Sequence, residues 1–142
     1  MADLKTREVK KDEILIHAGE ADNDLYRVES GKFLAFHVTG SRIDPIKVCE
    51  PGKFLGTLRF FLDIKRVLYF VALEDSTVTI IPGDQMKEQF PPWLANIGKS
   101  LSAKILDNIK LITNVGVKRK GELMSPLSIE EQRHFFGLIK KD

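Results

Sequence analysis

Between residues 51 and 75 the chain reads PGKFLGTLRFFLDIKRVLYFVALED, and here residue types and spacing suit a chemical task. Gly56, followed by Thr57 and Leu58, is a glycine turn opening a short apolar helix. The first backbone N–H groups of such a helix have no intrahelical acceptor, so they can donate to the oxygens of an anion. Arg66 heads the next β-rich run and can bring a guanidinium to the same anion. An arginine among Val67, Leu68 and Tyr69 needs a partner, because a buried unpaired cation is costly. Two readings satisfy it: a phosphate-like ligand, or an internal salt bridge to Asp63, Glu74 or Asp75. Arg59, one turn into the helix, reads as a solvated surface residue rather than a second anion ligand.

The elements that must position these residues are short and β-prone from Glu13 to Ile81, the pattern of an all-β barrel or sandwich. Ile14 to Ile16 is one strand. Residues 25–28 and 32–38 flank Glu29-Ser30-Gly31, where glycine supplies the positive φ of a tight hairpin. Leu34, Phe36 and Val38 share one face, expected to be the core face. Ile43, Ile46 and Val48 continue the sheet, and Pro45 among them suggests an edge or a bulge. Residues 67–73 are apolar on both faces, as in a strand between a core and helices, and residues 78–81 close the set.

Helical patterning follows. Gly83-Asp84 is a plausible cap for a short helix over 83–90, and Pro91-Pro92 opens a longer one. Ile97, Leu101, Ile105, Ile109 and Ile112 recur every three or four residues in one apolar stripe. That stripe is longer than roofing a small barrel requires. It is expected to bury itself in a homodimer, the alternative being the chain's own barrel or its last helix. After the basic linker 116–121 and Leu123, Ser128 and Glu131 have capping-box spacing for a helix over 129–140. Phe135, Phe136 and Ile139 make that helix too apolar to stand in water. They rest on the chain's own β-roll or dimer mate, or they form the docking surface of a signalling partner.

The glycines at 19, 31, 52 and 56, with Tyr26 between the first two and the 56–66 cassette after them, resemble the cyclic-nucleotide-binding domain family. The resemblance runs from about residue 8 to about residue 112. It implies a mainly β fold with C-terminal helices: a double-stranded, jelly-roll-like β-roll followed by a long dimerisation helix. It implies one unit over 8–114 and a linker with a short amphipathic helix over 115–142. It also implies a phosphate cassette in which Gly56, Thr57 and Arg66 hold the phosphate while Leu58 and Val67 shape the approach. The chain departs from the family at three points. Thr57 stands where the family has a glutamate for the ribose 2′-hydroxyl, Val67 and Leu68 replace small residues, and Asp12 replaces a common glycine.

The charge is nearly balanced, with 22 Lys and Arg against 20 Asp and Glu, so composition gives no push toward nucleic acid or membrane. The single cysteine, Cys49, reads as a buried small hydrophobe in a reducing compartment. The N-terminus lacks a signal-peptide core and no apolar run reaches bilayer length, so a cytoplasmic protein is expected. His17, His37 and His134 lack metal-ligand spacing, and no nucleophile elbow, P-loop or dinucleotide fingerprint occurs, so neither a catalytic residue nor a metal is expected. The roughly thirty residues beyond Ile112 fall short of a helix-turn-helix unit, so no DNA-binding domain is expected. The expectation is a non-enzymatic regulatory module with a degenerate pocket, weak or altered nucleotide binding and a protein partner, and no required cofactor. The alternative is a sensor of cyclic AMP, cyclic GMP or another phosphate-bearing ligand that switches its C-terminal helices.

Overall fold

A computed structural model describes residues 4–62, 64–84, 90–115 and 127–140, with side chains except at 112–115 and 140. The order is β1 (Lys5–Val9), β2 (Ile14–Ile16), β3 (Leu25–Ser30), β4 (Phe33–Thr39), β5 (Arg42–Cys49), β6 (Phe54–Leu55), α1 (Thr57–Phe61), β7 (Tyr69–Ala72), β8 (Ser76–Ile81), α2 (Pro92–Val115) and α3 (Ile129–Lys140). Two antiparallel sheets form, ordered β1-β8-β3-β6 and β2-β7-β4-β5. The expected mainly β fold with C-terminal helices is therefore present. The basic run 116–121, Leu123 and residues 85–89 of the expected short helix lie outside the described residues, as does the side chain of Ile112.

Between the sheets lies one core, in which Val28, Phe33, Ala35, Leu55 and Val78 are shut off from solvent. Hydrophobic burial of this kind supplies the main favourable term of folding. A second core lies on the outer face of the β2-β7-β4-β5 sheet, where Leu34, Phe36, Ile43 and Val71 meet Phe135 of α3. Leu34 and Phe36, with Val38 partly buried beside them, thus share a core face as expected, but it is the outer face of the sheet, and Phe33 and Ala35 point into the barrel. Both faces of β4 are apolar, so alternation alone does not say which is inner. A register shift between Ala35 and Phe36, opposite Ile46 and Pro45, adds a bulge where proline is tolerated.

β1 was not expected from the sequence. Its residues KTREV are polar and exposed except Val9, and what holds it is backbone pairing with β8. The β1–β2 turn places Asp12 at φ 71°, a left-handed conformation that Asp tolerates better than most residues and that glycine adopts freely.

α3 begins where its capping box lies. The Ser128 N–H donates to Glu131 Oε1 at 3.0 Å, and the Glu131 N–H donates to Ser128 Oγ at 3.1 Å. The helix is fixed across the sheet at two points. The Ile43 N–H of β5 donates to Gln132 Oε1 at 3.1 Å, and His134 Nε2 lies 3.1 Å from Asp12 Oδ1. Phe135 stacks on Phe36, which stacks on Tyr69. Phe135, Phe136 and Ile139, read from sequence as a partner-docking set, are engaged with the chain's own sheet in this arrangement. An apolar face of this size finds its nearest dry surface on the β-roll.

Candidate functional site

Gly56 carries the site's backbone geometry. It caps α1 at φ 92°, ψ 17°, and it approaches the guanidinium so closely that a Cβ there would collide with Arg66 Nη1. Only glycine combines this φ with this contact at low cost. The Gly56 carbonyl accepts both from the Phe60 N–H of α1, at 3.2 Å, and from Arg66 Nη1, at 3.1 Å. One carbonyl thus ties the turn, the helix and the arginine together.

The Arg66 backbone is held to the 17–20 turn: its N–H donates to the Glu20 carbonyl and its carbonyl accepts from the Gly19 N–H, both at 2.8 Å. Its side chain is buried. Nη2 donates to Asp22 Oδ2 at 2.9 Å and to the Asp24 carbonyl at 2.7 Å. The salt bridge left open by the sequence exists, and its acid is Asp22. Glu74 and Asp75 are exposed elsewhere, and Asp63 lies outside the described residues. Asp22 sits 44 residues earlier in the chain, and no local spacing signals the pair. Arg66 Nε remains: it is buried and, among the described residues, has no hydrogen-bond partner. A buried donor left unpaired costs roughly 1–3 kcal/mol. Beside this group, burial and then the carboxylates of Asp22 and Asp24 raise the pKa of Tyr26, so its hydroxyl stays neutral.

Arg66 lines a cavity of about 310 Å³. Its floor includes Ala35 and Phe70 of the sheet, one wall is Gly56 to Arg59 of the cassette, and Ile105, Asn108 and Ile109 of α2 roof it. Val67 and Leu68 line this hollow without filling it. Arg59, expected in solvent, also lines it and is half-buried, its Nε donating to the Ala21 carbonyl at 3.0 Å. All five cassette residues named from the sequence, Gly56, Thr57, Leu58, Arg66 and Val67, meet at this one cavity. Arg59, Lys47 and the α2 roof were missed. The lone glycine and the lone arginine are visible in the sequence, whereas the roof is brought in by tertiary packing.

The sequence model of the cyclic nucleotide-binding domain matches residues 6–90, more than half of the chain. The chain belongs to the cyclic nucleotide-binding domain family. Solved structures with the same fold include the EAL enzyme Bd1971 in its cAMP-bound form, at TM-score 0.65 and 22% identity over 79% of this chain and 32% of that one. The Thermus thermophilus catabolite activator protein gives TM-score 0.63 and 20% identity over 79% of this chain and 54% of that one. The regulatory domain of Toxoplasma gondii PKA with cAMP gives TM-score 0.62 and 20% identity over 73% of this chain and 39% of that one. The chain thus spans about a third of the length of the EAL enzyme. No curated protein matches it. Domains of this family are typically regulatory rather than catalytic, and among the described residues no helix is long and apolar enough to cross a membrane.

The stripe read along α2 divides in this domain. Ile109 is buried over the cavity, with Leu106 partly buried beside it, whereas Ile97 and Leu101 are exposed together with Trp93 and Leu94. Ile105 lies between the two sets, lining the cavity while 45% exposed. Near its start the helix rests on α1, where Gly98 leaves no room for a Cβ against Phe61.

Proposed function

We propose that this domain is a regulatory module that takes a phosphate-bearing ligand of mononucleotide size in the cavity beneath α2. The observation that carries the reading is the cavity itself, walled by the Gly56 turn and by Arg66, a buried cation whose Nε has no hydrogen-bond partner among the described residues. At about 310 Å³ the hollow lies at the small end of ligand sites, enough for a mononucleotide and small for a dinucleotide. Thr57 offers a short hydroxyl where the family has a carboxylate, so the sugar is held less firmly than in relatives with the glutamate. Binding of ordinary cyclic AMP or cyclic GMP is correspondingly weak.

The readout is α2, since the helix that roofs the cavity also presents Trp93, Ile97 and Leu101 outward. Those residues supply an isologous homodimer contact of coiled-coil type, and occupancy of the cavity shifts the helix and with it the surface shown to a protein partner. One observation favours a second reading, a ligand-free adaptor: Asp22 and two carbonyls already accept from the guanidinium.

Calorimetric titration with cyclic AMP and cyclic GMP separates the two. The sensor reading expects saturable heat that is lost in Arg66→Gln, a variant whose folding is checked by circular dichroism. Absence of heat and of thermal shift at millimolar nucleotide favours the adaptor.

A further inference from the structure

The cavity has a charge pattern that the cassette alone does not explain. Three cationic side chains line it from three parts of the chain: Arg66 in the loop ahead of β7, Arg59 on α1 and Lys47 on β5. Among the described residues no Asp or Glu lines it. Arg66 is already paired with a carboxylate, that of Asp22, which does not line the cavity. Lys47 stands apart from Arg66. It pairs across the sheet with Ala35, which pairs in turn with Phe70, so these three form one row that lines the cavity. Two strand spacings, about 10 Å in all, separate the β5 and β7 ends of that row. The Lys47 side chain is exposed, so its ammonium stays hydrated at the edge of the hollow.

A 3′,5′-cyclic mononucleotide carries a single negative charge on its phosphodiester, and the cassette with Arg66 suffices for it. That leaves the Lys47 ammonium at the same mostly apolar hollow, and at low salt, where the Debye length exceeds the roughly 10 Å of two strand spacings, a bound ligand feels both cations together. We infer, resting on the ligand-binding reading above, that the cavity prefers a mononucleotide with at least two negative charges over a singly charged cyclic one. The chemical class is a nucleotide bearing a phosphomonoester or a second phosphate. One phosphate lies at the cassette, by the Gly56 turn and Arg66, and the further charge is oriented toward Lys47. The absence of a carboxylate at position 57 fits this class, since a carboxylate beside a more highly charged ligand would repel it.

The test is calorimetry of the full chain with cyclic AMP, 5′-AMP and adenosine 3′,5′-bisphosphate at two salt concentrations. The bisphosphate is expected to bind about tenfold more tightly than cyclic AMP at low salt, the size of one added charge-assisted contact, with 5′-AMP between them and the gap closing as salt rises. In Lys47→Gln, an exposed substitution compatible with folding, the preference shrinks. Cyclic AMP binding as tightly as the bisphosphate, or a preference untouched by Lys47→Gln, overturns this inference and leaves the cavity's role as a ligand site standing. No binding of any of the three overturns both.

Discussion

The two faces of β7 were built from similar residues to opposite ends. On the outer face Tyr69 and Val71 lie under α3, in a cluster where Phe36 and Phe135 leave little to solvent. On the inner face Phe70 borders a hollow that Arg66, the cassette and α2 surround without filling. Protein interiors are ordinarily close-packed. A chain able to fill one side of a strand with its own helix leaves the other open where a glycine turn, a buried arginine and an unpartnered donor converge. The contrast marks the hollow as the place where the close packing of the domain gives way.

The largest expected effect is on the filled side. Phe135→Ala removes a ring that is 6% exposed and is expected to destabilise the protein by about 3–5 kcal/mol in urea unfolding. A loss below about 1 kcal/mol would show that α3 is only loosely applied to the sheet. On the open side, Gly56→Ala forces a Cβ onto the guanidinium at a positive φ, with an expected cost of about 1–3 kcal/mol and loss of ligand binding. Val67→Ile sharpens the comparison, because it adds one methylene at a half-buried wall residue of the hollow. Its stability change is expected to stay within about 1 kcal/mol, while ligand binding weakens. If it instead destabilises like an overpacked core substitution, by about 1–3 kcal/mol, the hollow is not open space.

The smallest effect is a pH dependence at the end of β4. Burial lowers the pKa of His37, with Asp44 opposing and Arg42 assisting. The unfolded chain therefore binds a proton that the folded chain resists, so stability rises with pH across this titration. His37's contribution is present above its ordinary value of 6.5 and is lost as pH falls through the lower folded value. Thermal melts of His37→Gln are expected to show a shallower decline on acidification from neutral pH than the parent protein. Parallel declines would remove His37 from the account.

Much of this architecture was legible in the residues. Glycine turns, alternating apolar runs and the Ser128–Glu131 box mark strand ends and the start of α3 because each reflects a local backbone requirement. β1 was hidden because its exposed polar residues carry no alternation and its pairing with β8 is a long-range contact. The orientation of β4 was hidden because both of its faces are apolar and a bulge shifts the register. In the site, Gly56 and Arg66 stood out by type, whereas Asp22, Arg59, Lys47 and the roof at Ile109 reach the cavity only through tertiary structure. The α2 stripe was read as one surface, but the helix meets the barrel along part of its length and splits it between core and solvent.

The most direct test is nuclear magnetic resonance of the Arg66 Nε–H during titration with cyclic AMP and with adenosine 3′,5′-bisphosphate. An anion accepted by this donor is expected to shift its resonance downfield and slow its exchange with water, with half-saturation matching the calorimetric affinity. An Nε–H resonance unmoved at millimolar concentrations of both nucleotides would contradict the claim that the buried guanidinium is poised for a ligand.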